Sequence, residues 1–314
     1  LLDVPVTSES ESFVKPSYWN DLLLYMTPGE SRPCIALVGP AGNGKTTTAE
    51  KVFQTREIPY IVIDCTEFVE PAELIGDMSY DPVKGRVWVD GKVTKAFRMG
   101  YGIIFNEFDA LNSRAALVIQ SALQDPGLDK QGRYLTLVGN PDEDRVYPAG
   151  ECSVIITMNT FGTGATRLYV GRNTLDAATM DRITVIETVY ENDAKILRAH
   201  GWQAVTANKL EKWAADIRKK IDDHALRVIL SHRTLLRIAQ AVERYGWEFQ
   251  VAVEKEFFKR LEGDIRTILM PPPPPPKPAP RPVVEKRKPN RPRRRPQDEQ
   301  DEEIALPSMD NNPF

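Results

Sequence analysis

One short stretch of the chain combines glycines, a lysine and a threonine at the spacing of a phosphate-binding loop. Residues 39–46 read GPAGNGKT and fit the pattern G-x-x-x-x-G-K-T without a mismatch. The glycines allow consecutive backbone N–H groups to curl around an anion, and a helix that follows adds the positive end of its dipole. The stretch therefore predicts a site for a nucleoside triphosphate, ATP, with Mg²⁺.

The residues of this loop divide the binding between them. Lys45 should reach the β- and γ-phosphates, Thr46 should offer its hydroxyl to Mg²⁺, and Thr47 should pack behind it. The residues expected to bind the nucleotide are Gly39, Pro40, Ala41, Gly42, Asn43, Gly44, Lys45, Thr46 and Thr47. An accidental glycine-rich turn is the alternative, but apolar residues precede the loop and a helix-compatible run follows it, as the motif requires.

A second group of candidate residues ends an apolar run further along the chain. Residues 103–105 read IIF and are followed by Asn106 and Glu107, where a P-loop ATPase carries a strand followed by Asp-Glu. Glu107 is the candidate base or water-orienting carboxylate. Asn106 keeps an oxygen for a magnesium-bound water but lacks the usual charge, so Asn106→Asp is expected to raise turnover if the site is a weakened hydrolase. A buried strand that merely ends in surface polar groups is the alternative.

Alternating strand-like and helix-like segments must position these residues. Strands are predicted at 34–39, 60–65, 102–106, 153–158 and 183–188. Helices with apolar positions three and four residues apart are predicted at 191–201, 203–221, 231–245 and 248–269. Two hairpins are predicted, one at 86–89 turning at Asp90-Gly91, and one joining 134–137 to 145–147. The expected fold is α/β: a parallel five-stranded sheet with flanking helices, then a small all-α lid and a disordered tail.

Composition is that of an ordinary globular protein, with 41% hydrophobic residues and a net charge of −3. No apolar run is long enough to span a membrane. Three widely spaced cysteines, at 34, 65 and 152, lack zinc-site spacing and indicate buried reduced thiols, which predicts a cytoplasmic protein. The expected boundaries are an N-terminal extension (1–30), a nucleotide-binding domain (31–190), a helical lid domain (191–270) and a tail (271–314).

Several further motifs occur in the order found in one ATPase family. In chain order they are Glu70 to Gly76, Glu107-Phe108-Asp109-Ala110, Val118-Ile119-Gln120, Met158 to Gly164, Leu168 to Gly171, Met180-Asp181-Arg182 and Ser231 to Thr234. Over about residues 30–265 the chain resembles AAA+ ATPases of the MoxR group, most closely the ATPase subunit of aerobic cobalt chelatase, CobS.

The resemblance implies a homo-oligomer, a hexameric ring with ATP at the subunit interfaces. Asn159 would then be the first sensor, holding the attacking water with Glu107. Arg182 would be the arginine finger that reaches the neighbour's γ-phosphate, with Arg114 and Arg172 as reserve candidates, and Arg233 would contact the phosphates from the lid. A surface salt bridge is the alternative for each arginine.

The tail offers an independent indication of a partner. From Pro271 the chain runs through six prolines, a basic block and an acidic block to a terminal Pro313-Phe314, which resembles the terminal peptide of bacterial single-stranded DNA-binding proteins. Such a peptide can insert its Phe into an apolar pocket rimmed by basic residues, so single-stranded DNA or proteins that bind such tails are candidate partners. A solubilising linker without a partner is the alternative.

Three functions remain open at this point. The first is a motor that couples ATP hydrolysis to the remodelling of a protein or protein–nucleic acid partner. The second is a motor or loader in DNA replication or repair, recruited through the tail. The third is a weakly hydrolysing, ATP-dependent scaffold, which only Asn106 supports. The hairpin near Trp88 could grip a client, or Trp88 could pack the hairpin onto the domain.

Overall fold

A central parallel sheet organises the α/β part of the chain. The computed structural model describes residues 12–27, 32–127 and 132–270. The strands are β1 (Cys34–Val38), β2 (Tyr60–Asp64), β3 (Gly76–Asp81), β4 (Gly85–Asp90), β5 (Gly102–Asn106), β6 (Leu135–Thr136), β7 (Arg145–Val146), β8 (Val154–Met158) and β9 (Ile183–Glu187). Five of them form one parallel sheet in the order β2-β5-β8-β1-β9. These are the five predicted strands, each within one residue of its predicted bounds, so the expected sheet is confirmed.

Both faces of the sheet are covered, which explains its nearly continuous apolar strands. In β1, Ile35 and Leu37 pack into one core cluster with Trp19 and Phe53, while Ala36 and its neighbours on the other face pack into a second cluster. Every residue of β1 is buried. A strand buried on both faces needs no polar alternation, and this is the pattern of a parallel sheet between helical layers.

Helices lie between the strands in the sequence, and five more follow the last strand in the described part of the chain. They are α1 (Trp19–Tyr25), α2 (Lys45–Thr55), α3 (Pro71–Ile75), α4 (Lys92–Met99), α5 (Ser113–Val118), α6 (Ala177–Met180), α7 (Asp193–Ala199), α8 (Ala204–Asp223), α9 (His232–Glu243), α10 (Phe249–Glu256) and α11 (Gly263–Leu269). The helices from α7 onward share their own apolar core. No helix of the described ranges has the length and apolar character needed to cross a membrane.

The hairpin before β5 differs from the predicted one. β3 pairs with β4 in antiparallel register from Gly76–Asp90 to Asp81–Gly85, so the turn lies at 82–84, and Asp90-Gly91 leads into α4 instead. The Asp-Gly pair suggested a turn, but Gly91 takes an extended conformation before α4. Trp88 packs on the core and donates from Nε1 to Asp90 Oδ1 at 2.9 Å, which supports the packing role. The second predicted hairpin is present as β6 and β7.

The last predicted helix, 248–269, is wrong as a single element. The structure divides it into α10, a 3₁₀ turn at Phe258–Arg260, and α11. Phe257 and Phe258 are both buried and both meet Trp213 edge-on, with ring centroids 5.7 and 6.3 Å away. Successive residues of a continuous helix point about 100° apart, so the backbone breaks where two adjacent rings must enter one core. The tail prediction for 271–314 lies outside the described residues.

Candidate functional site

The loop between β1 and α2 has the conformation that the motif predicts. Gly42 and Gly44 take positive φ angles of 74° and 92°, a region that side chains with a Cβ rarely adopt. A Cβ on Gly39 would lie 2.0 Å from the backbone oxygen of Thr188. Because α2 begins at Lys45, the free N–H groups of its first turn and the positive end of its dipole lie at the end of this loop. The loop therefore has the geometry of an anion cradle.

The ammonium of Lys45 occupies the centre of the cradle. Its Nζ donates to the backbone oxygens of Gly39 and Pro40 at 2.8 and 2.9 Å, and to Asn159 Oδ1 at 3.0 Å. Burial lowers the pKa of Lys45 to about 8, although the carboxylates of Asp109 and Glu107 oppose this shift. A desolvated cation held only by neutral oxygens is suited to meet the charge of a phosphate group.

Oxygen atoms suited to Mg²⁺ meet beside the cradle. Asn106 Oδ1 accepts from Thr46 Oγ1 at 2.6 Å and from Thr157 Oγ1 at 2.9 Å. The amide Nδ2 of Asn106 donates to Asp64 Oδ1 at 2.8 Å. Mg²⁺ prefers oxygen ligands and usually takes only one or two from the protein, the remainder coming from waters and phosphates. The donor set of Thr46 and Asn106 fits that ion.

Glu107 lies at the exit of β5 in an uncommon backbone conformation. Its φ is 57°, and its N–H donates to Thr157 Oγ1 at 3.0 Å. The left-handed turn places the carboxylate at the surface, with 52% of the side chain exposed. Arg172 of the same chain donates to Glu107 Oε2 at 2.9 Å. A strained residue at a strand exit typifies catalytic positions, and here the carboxylate is occupied by an arginine.

Asp109 connects Glu107 to the predicted first sensor. It is fully buried, and its Oδ2 accepts from the backbone N–H groups of Asn159 and Thr160 at 3.0 and 2.9 Å. Its other oxygen lies 3.4 Å from Nε of Arg172. Removing one partner of such a buried charge pair is costly, because the other charge is left uncompensated. Asp109 therefore fixes the loop that carries Asn159.

A cleft of about 240 Å³ opens beside the cradle. Its walls are apolar and polar groups from three parts of the chain: Phe13, Val14 and Tyr18 before the sheet, Gly42 to Gly44 in the loop, and Ile196, His232 and Arg233 from the helical part. The pocket joins apolar surface to the phosphate cradle. This arrangement suits a flat base at one end and a charged chain at the other.

Comparison with known families identifies the α/β part of the chain. Residues 35–183 match the family model described as the AAA domain of the dynein-related subfamily. The chain is a P-loop ATPase with an AAA+ fold. Comparison with curated proteins finds no match. Among solved structures, a protein described as a "putative ATPase" from Cytophaga hutchinsonii shares 18% identity, with coverage of 82% of this chain and 81% of that chain and a TM-score of 0.45.

The ATPase places its predicted arginines in different surroundings. Arg233 is exposed and lines the cleft. Arg182 is half-buried and donates to the backbone oxygen of Ala178 in α6 of the same chain. Arg172, the reserve candidate, is paired with Glu107 and Asp109. Of these three arginines, Arg233 and Arg172 lie beside the site of their own chain. The arginine-finger role predicted for Arg182 would require the site of a neighbouring subunit.

Sequence reasoning missed several residues of the ATPase site. Asp64, Asp109 and Thr157 form its polar network, and Phe13 and Tyr18 come from the segment predicted as a bare extension. Tyr169 and Tyr190 hydrogen-bond the N–H and the oxygen of Ala41. Asp64 could have been found, since it ends the strand next to β5. The others become visible only in three dimensions.

Proposed function

We propose that this ATPase forms a homo-oligomeric ring, a hexamer of the MoxR and CobS type, which uses ATP hydrolysis to remodel a protein or protein–nucleic acid partner. The observation that supports this is a site complete in one chain except for its finger. Lys45 donates to Asn159 and lies within electrostatic range of Glu107, whereas Arg182 donates to the backbone oxygen of Ala178 of its own chain. Sites of this kind are completed across a subunit interface.

Each residue then has one task in the reaction. Lys45 and the loop N–H groups neutralise the phosphates, while Thr46 and Asn106 would hold Mg²⁺, which would supply further neutralisation of the triphosphate charge. Asn159 and Glu107 orient a water whose oxygen forms a bond to the γ-phosphorus as the bond to the bridging oxygen of ADP breaks. The proton of that water passes to Glu107 or to the released phosphate.

Glu107 must leave Arg172 before it can act. The ion pair between them measures 2.9 Å, and a carboxylate oxygen that is held by a guanidinium is not free to accept a hydrogen bond from the attacking water. We propose that Arg182 of a neighbour and the γ-phosphate together stabilise the conformation in which Glu107 faces the water. Assembly would then raise activity by completing the site and by releasing its base.

Mixing two inactive variants tests the shared site. Lys45→Ala removes nucleotide binding but keeps Arg182, whereas Arg182→Ala keeps the cradle but lacks the finger. Each alone should be almost inactive, and a mixture should regain ATPase activity because some Arg182→Ala subunits then receive a finger from a Lys45→Ala neighbour. The control is Arg227→Ala, at an exposed loop position, which should behave as the wild type. Full activity of Arg182→Ala, or activity per subunit that is independent of protein concentration through the assembly range, would contradict the proposal.

A further inference from the structure

The amide of Asn106 is held in one orientation by its neighbours. β2 and β5 are parallel, and their register places Asp64 directly beside Asn106 at the carboxyl ends of both strands. Nδ2 of Asn106 donates to Asp64 Oδ1 at 2.8 Å, while Oδ1 accepts the hydroxyl of Thr46 at 2.6 Å. An ionised carboxylate only accepts hydrogen bonds. The NH₂ group must therefore face Asp64, and the amide oxygen must face Thr46.

This contact explains why an amide stands at the end of β5. With an aspartate at position 106, two carboxylates would face each other at about the present 2.8 Å separation. Two carboxylates that close repel each other and cannot share a hydrogen bond as the amide and carboxylate do. One amide and one carboxylate avoid this repulsion, and in this chain the carboxylate stands on β2.

The Asp64 carboxylate is free to act on a neighbouring cation. It is exposed, and no lysine, arginine or histidine of the described residues forms an ion pair with it. One oxygen is used by Asn106, and this links the carboxylate through a single side chain to the hydroxyl of Thr46. The negative charge of Asp64 therefore lies beside the predicted magnesium ligands Asn106 and Thr46.

We propose that Asp64 is the acidic residue of the magnesium site. Asn106 presents the neutral oxygen, and Asp64 supplies the charge by accepting hydrogen bonds from waters on the ion. Mg²⁺ keeps several of its waters in nucleotide sites, and groups that hold such waters contribute strongly to metal affinity. The inference rests on the proposed ATPase site and adds to it a residue on another strand.

The test measures the Mg²⁺ dependence of nucleotide binding rather than turnover. A fluorescent ATP analogue is titrated in EDTA and then at increasing Mg²⁺, for the wild type, Asp64→Asn, Asn106→Asp and the double exchange Asp64→Asn/Asn106→Asp. Asp64→Asn should raise the Mg²⁺ concentration for half-maximal tightening by about 10–100-fold, with affinity in EDTA changed less than about twofold. The double exchange should restore the wild-type value, because it keeps one charge and one amide. Asn106→Asp alone should not lower that Mg²⁺ concentration, because its carboxylate loses the hydrogen bond to Asp64 and is repelled by it.

Controls separate failure of this inference from failure of the ATPase site. Asp222→Asn, at an exposed position of α8, should match the wild type, and thermal melting shows whether each variant is folded. If Asp64→Asn retains the wild-type Mg²⁺ dependence, or if Asn106→Asp alone tightens it as much as the double exchange, the inference is overturned. If the wild type itself shows no Mg²⁺-dependent binding, the proposed site fails as a whole and the inference fails with it.

Discussion

At the scale of single residues, the site depends on charges placed where water is scarce. Lys45 is buried, and its ammonium donates hydrogen bonds to oxygen atoms that carry no formal charge. Asp109 is also buried and is neutralised by backbone N–H groups and Arg172. The loop is therefore ready for an anion before one arrives, and this preorganisation is what makes electrostatic stabilisation effective.

The lowered pKa of Lys45 predicts a pH dependence of nucleotide binding. In the free site the pKa is about 8 because of burial, and a bound triphosphate raises it again by charge attraction. Binding therefore takes up a proton above about pH 8, and affinity for ATP should fall up to about tenfold per pH unit there, with no such loss below. Calorimetry in two buffers of different ionisation enthalpy measures the proton uptake.

The matched variant for this prediction is Lys45→Arg. A guanidinium stays protonated throughout the accessible pH range, so the variant should lose the decline in affinity above about pH 8, whatever its absolute affinity. An affinity of the wild-type protein that stays constant from about pH 7 to about pH 9.5 would contradict the assignment of the proton to Lys45.

At the scale of elements, the segment before the sheet and the first turn of the helical part complete the cleft. Phe13 packs against Trp19 with ring centroids 5.3 Å apart, which anchors the segment to the cluster beneath α2. On the opposite side, Tyr190 bonds the oxygen of Ala41 and meets His232 edge-on, with ring centroids 5.3 Å apart. Tyr190 therefore contacts both the phosphate loop and the first residue of α9.

Removal of one ring tests the part played by the first segment. Phe13→Ala should weaken ATP binding about tenfold, because apolar surface of the cleft wall is lost, while the affinity for inorganic triphosphate, which lacks the base, should remain unchanged. Fluorescence titrations of both ligands measure the difference. Leu24→Ala, on the same segment but 66% exposed in α1, is the control. An equal loss for ATP and triphosphate would show that Phe13 acts on the cradle and not on the base.

At the scale of the whole molecule, we propose that the ATPase is recruited to a partner through the segment from Pro271 to Phe314. That segment lies outside the described residues. Each subunit of the proposed ring would contribute one copy of it. In a ring, several copies would raise the effective concentration for a partner with more than one pocket.

We propose that the last ten residues of the sequence carry this recruitment. A synthetic peptide of the last ten residues should bind proteins that recognise the tails of single-stranded DNA-binding proteins, and binding should weaken with salt because the acidic run contributes. Phe314→Ala should remove that binding and leave ATPase activity intact, whereas Ile304→Ala should change neither the binding nor the activity. If the peptide binds none of these proteins, the reading as a motor of DNA metabolism loses its specific support.

The sequence by itself determined that the chain has a nucleotide-binding loop, and it determined where the strands of the central sheet lie. A phosphate loop needs glycines, a lysine and a threonine at fixed spacing in one continuous segment, so Gly39 to Thr47 could be recognised directly. The five strands were equally clear, because strands buried on both faces read as short apolar runs. Glu107 followed from its place after the third of these runs.

Only the tertiary structure decided which side chains surround those residues. Asp64 meets Asn106 because β2 and β5 are adjacent and in register, and this changes the expectation for Asn106→Asp from a gain to none. Arg172 meets Glu107 across 65 residues of chain, and Phe13 reaches the cleft from a segment without any motif. Such contacts depend on strand order and loop paths, which are set by packing of the whole core and leave no local pattern in the sequence.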